Sequence, residues 1–260
     1  MDCVQKYLGF HYIQKNRNTA FNHPKALGKI GLGGSAIGFL FGVHLTALVA
    51  NVILCNKPSF FVVLWCVYMC CLAAFHFMEF LTTALYNPAT LSYDSWIITH
   101  SAAYTMACFG AWIEFWVEVL FFPGLKSWEM WWVALAGLAV VLVGQTFRSG
   151  AMWTAKGNFN HIIATEKAQD HKLVTHGVYR YFRHPSYFGF FWWSVGMQVL
   201  LVNPVCVVLY AVASWKFFKD RIPYEERMLC NFFAEYPQYM KTTYIGIPFI
   251  SSPLSERKAQ

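Results

Sequence analysis

The sequence predicts an all-α integral membrane protein with about six hydrophobic helices, and its composition is the first reason. Hydrophobic residues make up 57% of the 260 residues and charged residues 13%, whereas soluble domains average about 45–50% and about 25%. Aromatic residues reach 19%, which is typical of the interfacial belts of membrane proteins. Most of the surface is therefore expected to face a lipid bilayer. Nucleic acid is not an expected partner, because no basic stripe on a soluble domain is present.

The length of the apolar stretches is the second reason, because a bilayer core of about 30 Å needs about 20 apolar residues in a helix. Four stretches meet that length, at residues 30–55, 58–81, 96–122 and 128–147. Turn-forming residues separate them. A fifth apolar stretch, residues 187–219, is interrupted by Asn203-Pro204, so we expect a helical hairpin that enters the membrane and returns.

The distribution of charge predicts the organisation and orientation of the chain. It comprises a polar N-terminal segment (1–29), a four-span membrane anchor (30–147) and a C-terminal region (148–260) that divides into a loop (148–186), the hairpin (187–219) and a tail (220–260). Five Lys or Arg residues precede the first span, and six lie in the loop. The positive-inside rule then places the N-terminal segment, the loop and the tail in the cytosol. The N-terminal segment is too polar for a cleavable signal peptide.

No metal site is expected from the cysteines or histidines. The eight Cys form no zinc-binding spacing, and five lie in apolar runs, so we expect reduced thiols. The loop contains four histidines with gaps of 10, 5 and 8 residues, which match no zinc pattern. They are His161, His171, His176 and His184. Contacts to an organic ligand are favoured for them over a metal.

Charged side chains occur inside the predicted spans, where such groups are either buried in the bundle or functional. His76 and Glu79 lie one helical turn apart, as do Glu114 and Glu118. The sequence leaves open whether these residues contact neighbouring helices or take part in chemistry.

The first span also carries a glycine repeat. Gly34, Gly38 and Gly42 recur every four residues. This spacing predicts close helix packing rather than a nucleotide-binding loop, because no strand precedes the glycines.

Two polar segments flank the predicted hairpin. His184-Pro185-Ser186-Tyr187 ends the loop, and it fits either a polar pocket at the membrane surface or a helix start in which Ser is the cap. Arg221, Glu225 and Glu226 follow the hairpin. A continued helix would pair Arg221 with Glu225 at i, i+4, whereas Pro223 disfavours that helix.

Together, these segments resemble the isoprenylcysteine carboxyl methyltransferase family. The motifs that carry the resemblance are Gly157-Asn158-Phe159-Asn160-His161, Glu166-Lys167, His171-Lys172-Leu173-Val174-Thr175, Gly177-Val178-Tyr179, Phe182-Arg183-His184-Pro185-Ser186-Tyr187 and Arg221-xxx-Glu225-Glu226. The resemblance covers roughly residues 65–250 and is strongest after residue 147. It implies a multi-pass endoplasmic reticulum enzyme that transfers a methyl group from S-adenosylmethionine to the C-terminal carboxylate of a farnesylated or geranylgeranylated cysteine. Its substrates would be processed CaaX proteins, such as small GTPases and lamins.

The resemblance also implies roles for individual residues in the C-terminal region. Arg221 and Glu225 are the expected catalytic residues, Arg221 as the substrate-contacting arginine and Glu225 also as a cofactor contact. The implied cofactor contacts are Ala164, His171, Lys172, Leu173, Val174, Tyr179, His184, Pro185, Ser186, Tyr187 and Glu225. At Ala164 other members can carry a larger polar residue, so only a backbone contact is expected there.

The chemistry of these residues agrees with that implication. A C-terminal carboxylate with a pKa near 3.5 is already ionised at neutral pH, so it needs no general base. Catalysis then depends on alignment, which contributes up to about 7–11 kcal/mol. Arg221 would hold the acceptor carboxylate, and Glu225 would attract the cationic cofactor.

Four consecutive aromatic residues lie near the start of the predicted hairpin. Phe190, Phe191, Trp192 and Trp193 are candidate walls of a lateral tunnel for the prenyl chain, or ordinary lipid-facing residues. The alternatives to a protein methyltransferase are a sterol-type or steroid-type membrane reductase that uses NADPH, a phospholipid methyltransferase, and a non-enzymatic transporter. The transporter would rest on Glu79, Glu114 and Glu118 alone.

Overall fold

A computed structural model describes residues 23, 25–98, 101–169 and 171–251, and within these residues the chain is helical without a β-strand. The described residues form seven α-helices, which are α1 (Leu27–Ile53), α2 (Phe60–Tyr86), α3 (Ala102–Phe121), α4 (Trp131–Ala155), α5 (Pro185–Leu201), α6 (Pro204–Phe232) and α7 (Tyr236–Thr242). Short 3-10 helices occupy the connections, at Pro88–Thr90, Tyr93–Trp96, Pro123–Lys126, Trp128–Met130, Lys156–Asn158 and Gly177–Arg180. The predicted all-α class is confirmed, and the six longest helices match the six predicted hydrophobic ones.

The described residues contain four helical segments long and apolar enough to cross a membrane. They are Leu27–Ile53, Phe60–Tyr86, Ala102–Phe121 and Trp128–Asn158. They correspond to the four predicted spans, but the boundaries differ, most of all at the start of the third span and the end of the fourth.

The third span begins at Ala102 and not at residue 96, because Trp96 belongs to a turn that packs on the first two helices. The Trp96 ring stacks on Phe80 with ring centroids 3.8 Å apart. Its indole Nε1 donates a hydrogen bond to the Ile30 carbonyl at 3.2 Å. Trp96 therefore packs against α1 and α2 and cannot also be the first residue of α3.

The fourth span continues to Ala155, well beyond residue 147. Arg148 consequently lies on α4 and not in the predicted loop, which begins only at about residue 156. The guanidinium of Arg148 forms a buried ion pair with Glu79 of α2. This pairing allows a charged residue to lie inside the bundle, where an unpaired charge would be costly.

The last two long helices form the predicted hairpin, but the second helix extends far beyond it. The chain turns at Val202 (φ 58°) and Asn203, and α6 then runs through Pro223 without interruption. Ile222 and Glu226 on its inner face are fully buried. Their tertiary contacts offset the backbone hydrogen bond that Pro223 cannot make.

The backbones of α4 and α5 approach each other closely at glycines. A Cβ atom on Gly144 would lie 2.5 Å from the backbone nitrogen of Trp193, and one on Gly189 would lie 2.4 Å from the backbone nitrogen of Arg148. The beginning of α5 is therefore held directly against Arg148.

The predicted helix packing at the glycine repeat of the first span is wrong for all three residues. Among the described residues, a Cβ on Gly38 or Gly42 would meet nothing within 4 Å, and Gly34 faces the Trp96 ring instead of another helix. Close helix packing depends on a facing partner with its own small residues, which the spacing in a single helix does not report.

The two glutamates of α3 contact the far end of the hairpin. Glu114 accepts hydrogen bonds at 2.7 Å from two backbone N–H groups in the first turn of α6. Glu118 forms an ion pair with Lys126 at 2.7 Å. Lys126 Nζ in turn donates to the carbonyls of Leu201 at 2.6 Å and Val202 at 2.9 Å, where α5 ends. Of the two possibilities left open by the sequence, interhelical contact describes both residues.

Candidate active site

A pocket lies where α5 begins, between the connection after α4 and the second half of α6. It contains about 890 Å³ of space, part of it open to solvent. All the predicted cofactor contacts line this one pocket, namely Ala164, His171, Lys172, Leu173, Val174, Tyr179, His184, Pro185, Ser186, Tyr187 and Glu225. Arg221, the predicted substrate contact, lies just outside the lining and bonds to Tyr187.

Sequence reasoning missed one wall of this pocket, which α6 and the residues after it provide. The missed residues are Met228, Leu229, Phe232, Phe233, Tyr236 and Tyr239. The first three follow Glu225 at intervals of three, four and seven residues, which is the spacing of one helix face. The signal was therefore present, but it required the helix to continue beyond Pro223.

The hydroxyl of Tyr187 connects Arg221 with Glu225. Tyr187 donates a short hydrogen bond to Glu225 Oε2 and accepts one from Arg221 Nε at 2.8 Å. Arg221 Nη2 donates to the carbonyl of His161 at 2.7 Å. The helix does continue through Pro223, but Arg221 and Glu225 are joined by two contacts to one phenol oxygen and not by a direct i, i+4 pair.

Glu226 anchors the start of α5 to α6. Its fully buried carboxylate accepts from Arg183 Nε at 2.5 Å and from His184 Nε2 at 3.0 Å. Burial alone would raise the pKa of Glu226, but hydrogen bonding and charge from His184 and Arg183 lower that pKa to about 2. The two adjacent glutamates therefore have different surroundings, since Glu225 faces the pocket and Glu226 is an internal anchor.

A second buried carboxylate, that of Glu79 in α2, is linked through Arg148 to Ser186 in the pocket wall. Arg148 Nε and Nη2 bind its two oxygens at 2.6 and 2.9 Å. The remaining nitrogen of Arg148, Nη1, donates to Ser186 Oγ at 2.6 Å. Ser186 consequently accepts a bond from α4 and does not cap α5, whose cap position is His184.

The connection between α4 and α5 is held over the pocket by specific contacts. Lys167 Nζ donates to the Phe232 carbonyl at 2.8 Å, and the Lys172 backbone N–H donates to Asn158 Oδ1 at 2.9 Å. Burial and the nearby charge of Lys167 lower the pKa of His171. The end of the connection is held by Tyr239, whose hydroxyl donates to the Tyr179 carbonyl at 2.5 Å.

The four histidines of the predicted loop have separate environments. Within the described ranges no three His, Cys, Asp or Glu side chains are grouped as metal ligands. His161 contacts Glu79, His184 contacts Glu226, His171 packs against the Phe233 ring at 5.2 Å, and His176 is exposed.

The candidate tunnel residues divide into two kinds. Phe191 and Trp193 are buried, and Trp193 stacks on Phe75 with centroids 4.1 Å apart. Phe190 and Trp192 are only partly buried. The first pair therefore does not face lipid.

The chain is similar in sequence to known proteins of one family. The profile of the isoprenylcysteine carboxyl methyltransferase (ICMT) family matches residues 136–231. A protein-S-isoprenylcysteine O-methyltransferase from Tribolium castaneum is 50% identical over 184 residues, which are 70% of this chain and 65% of that protein. One from Xenopus laevis is 45% identical over 223 residues, 85% of this chain and 74% of that protein. One from Homo sapiens is 49% identical over 184 residues, 70% of this chain and 64% of that protein.

A solved structure extends the similarity over almost the whole chain. It is the structure of the eukaryotic intramembrane Ras methyltransferase ICMT, which is 38% identical in sequence. The two structures superpose with a TM-score of 0.77 over 96% of this chain and 87% of that one. The matched segment spans slightly less than two thirds of the beetle and human proteins. None of these proteins is named as a reductase or a transporter.

Proposed function

The chain belongs to the isoprenylcysteine carboxyl methyltransferase family, and from that premise we propose that it methylates the C-terminal carboxylate of prenylated cysteine with S-adenosylmethionine. One observation carries the proposal: the residues matched to the family's cofactor contacts surround a single pocket, and Arg221 lies at its edge. The proposed acceptors are processed CaaX proteins, such as small GTPases and lamins. The proposed location is the endoplasmic reticulum membrane, with the N-terminus and the pocket in the cytosol.

The pocket fits a cofactor that is both polar and cationic. When bound, S-adenosylmethionine would supply a methyl group on a positively charged sulfur. Glu225 presents a carboxylate to the pocket, and opposite charge at short range favours such a ligand. Apolar side chains, including Leu173, Val174 and Leu229, cover another part of the wall, as is usual for small-molecule sites.

Arg221 has one nitrogen available to hold an acceptor. Its Nε and Nη2 are bonded to Tyr187 and His161, whereas Nη1 has no bonded group among the described residues. A charge-assisted bond from Nη1 would orient the acceptor carboxylate. That carboxylate is already ionised, so the residues here need to position it and need not remove a proton.

The location of the pocket beside the membrane hairpin suits a lipid-anchored acceptor. Each buried methylene group of a prenyl chain contributes about 0.8 kcal/mol to membrane partitioning. Such an acceptor would remain in the bilayer with its carboxylate near the interface. Phe190 at the start of the hairpin contacts both the other hairpin helix and the membrane anchor, because its ring lies 6.2 Å from that of Phe218 and 6.0 Å from that of Phe75.

A labelled methyl-transfer assay tests this function. The purified full chain in detergent or vesicles would receive labelled S-adenosylmethionine and a farnesylcysteine analogue. We expect label in the prenylated analogue and none in the matched cysteine without a prenyl chain. Equal labelling of both compounds, or of neither, would contradict the proposal.

A further inference from the structure

The carboxylate of Glu79 lies inside the membrane anchor but is connected to both sides of the pocket. It is 1% exposed, and its two oxygens accept three hydrogen bonds, two from Arg148 and one from His161 Nε2 at 2.8 Å. A buried ion pair can often be replaced by apolar residues without loss of stability. Helix anchoring alone therefore does not account for this arrangement.

The first connection leads to the wall predicted to contact the cofactor. Arg148 binds Glu79 in a bidentate manner and reaches Ser186 Oγ at 2.6 Å with its remaining nitrogen. Ser186 belongs to the pocket lining. The position of this wall thus depends on the orientation of Arg148, which Glu79 holds.

The second connection leads to Arg221. The imidazole of His161 donates to Glu79, and the backbone carbonyl of the same residue accepts from Arg221 Nη2 at 2.7 Å. His161 therefore links a carboxylate in α2 with a guanidinium in α6. The Phe159 ring contacts the imidazole edge-on, with centroids 5.1 Å apart.

We infer that Glu79 and His161 are positioning residues for methyl transfer, because together they hold the Arg221 side chain at a defined position relative to Ser186 in the wall of the cofactor pocket. The inference rests on the proposed function and adds two residues that would contact neither cofactor nor acceptor. A small misplacement of a positioned group costs about 10- to 100-fold in rate. For His161, whose contact leads to Arg221, the effect should therefore appear in kcat and not in the affinity for the cofactor. For Glu79, which also holds the cofactor wall through Arg148 and Ser186, it should appear in both.

The test compares variants of His161, whose side chain is partly exposed and lies outside the long helices. His161→Ala removes the donor to Glu79. His161→Gln retains an N–H donor of similar reach. His176→Ala is the matched control, because His176 is an exposed histidine in the same connection and, contrary to the ligand contact expected from the sequence, does not line the pocket. Each purified full chain is assayed with labelled S-adenosylmethionine and the farnesylcysteine analogue, and cofactor affinity is measured by direct binding.

We expect His161→Ala to lower kcat by about 10- to 100-fold, while the cofactor Kd stays within about twofold, because Lys167 and Lys172 still hold the connection. We expect His161→Gln to restore most of kcat and the control to match wild type. Unchanged kcat in His161→Ala would overturn the inference, as would a Gln variant no better than Ala.

A second variant pair tests Glu79 itself. Glu79→Gln should lower kcat by about 10- to 100-fold and also weaken cofactor binding, because it loosens Arg148 and the Ser186 wall of the pocket. Glu114→Gln, which alters a carboxylate at the far end of the hairpin, should do neither. Equal effects of the two would overturn the inference. If wild type itself transfers no methyl group, the proposed function fails together with the inference. An active wild type with fully active His161→Ala rejects the inference alone.

Discussion

Replacing Glu226 by Gln should destabilise the protein more than the same change at the adjacent Glu225. Glu226 is fully buried and binds Arg183 and His184. These partners lower its pKa to about 2 from an ordinary value of 4.5. At about 1.36 kcal/mol per pKa unit, the ionised carboxylate contributes about 3 kcal/mol to stability. That figure agrees with the roughly 3–5 kcal/mol lost when one partner of a buried pair is removed.

Buried free cysteines provide the assay. Cys66 and Cys206 are buried thiols, so a thiol-reactive fluorogenic dye would report unfolding as they become exposed. At about 2–4 °C per kcal/mol for a chain of this size, Glu226→Gln should lower Tm by roughly 6–12 °C at pH 7. Glu225→Gln should change Tm by much less, because its carboxylate is only half-buried.

The pH dependence makes this prediction sharper. Because the pKa of Glu226 is lower in the folded than in the unfolded chain, its contribution is complete above about pH 4.5 and is lost as the pH falls towards 2. The difference in Tm between wild type and Glu226→Gln should therefore narrow on acidification below about pH 4.5. A Tm for Glu226→Gln within about 2 °C of wild type at pH 7 would refute the reasoning.

Three further variants test the site and the helix packing. Arg221→Lys should leave the cofactor Kd within about twofold but lower kcat by about 100-fold, because an ammonium cannot reproduce the planar contacts of a guanidinium. Unchanged kcat in the methyl-transfer assay would show that Arg221 does not have the proposed role. Glu225→Gln should weaken cofactor binding by about tenfold through loss of one charge-assisted interaction, and direct binding that matches wild type would contradict this. Gly189→Ala should cost about 1–3 kcal/mol by forcing α4 and α5 apart, measured as a fall in Tm. The control Gly42→Ala, whose Cβ would meet no atom of the described residues within 4 Å, should not show that fall.

Local sequence was sufficient for much of the site because its chemistry is concentrated in short motifs. The motif residues from Ala164 to Tyr187 and Glu225 meet in one pocket as expected. The motifs did not reveal the wall from Met228 to Tyr239, because Pro223 suggested that the helix had ended. Local propensity is a weak guide when neighbouring residues are fully buried, as Ile222 is.

Patterns that depend on a partner were less informative. The glycine repeat of the first span suggested close packing, yet the close approach is between α4 and α5, where glycines face backbone atoms of the other helix. The sequence does not reveal the role of Glu79 for the same reason. Its partners Arg148 and His161 are 69 and 82 residues away in the chain, and no spacing rule connects such distant positions.

The sequence by itself determined that the chain is helical, lies in a membrane and carries a polar region with methyltransferase motifs, because composition and apolar run length follow directly from the order of residues. Only the tertiary structure decided which charges meet inside the bundle, where α6 ends and which helices touch. Each of these depends on surfaces that come together from distant parts of the chain, and their burial offsets the local costs of a proline, a charge or a missing side chain.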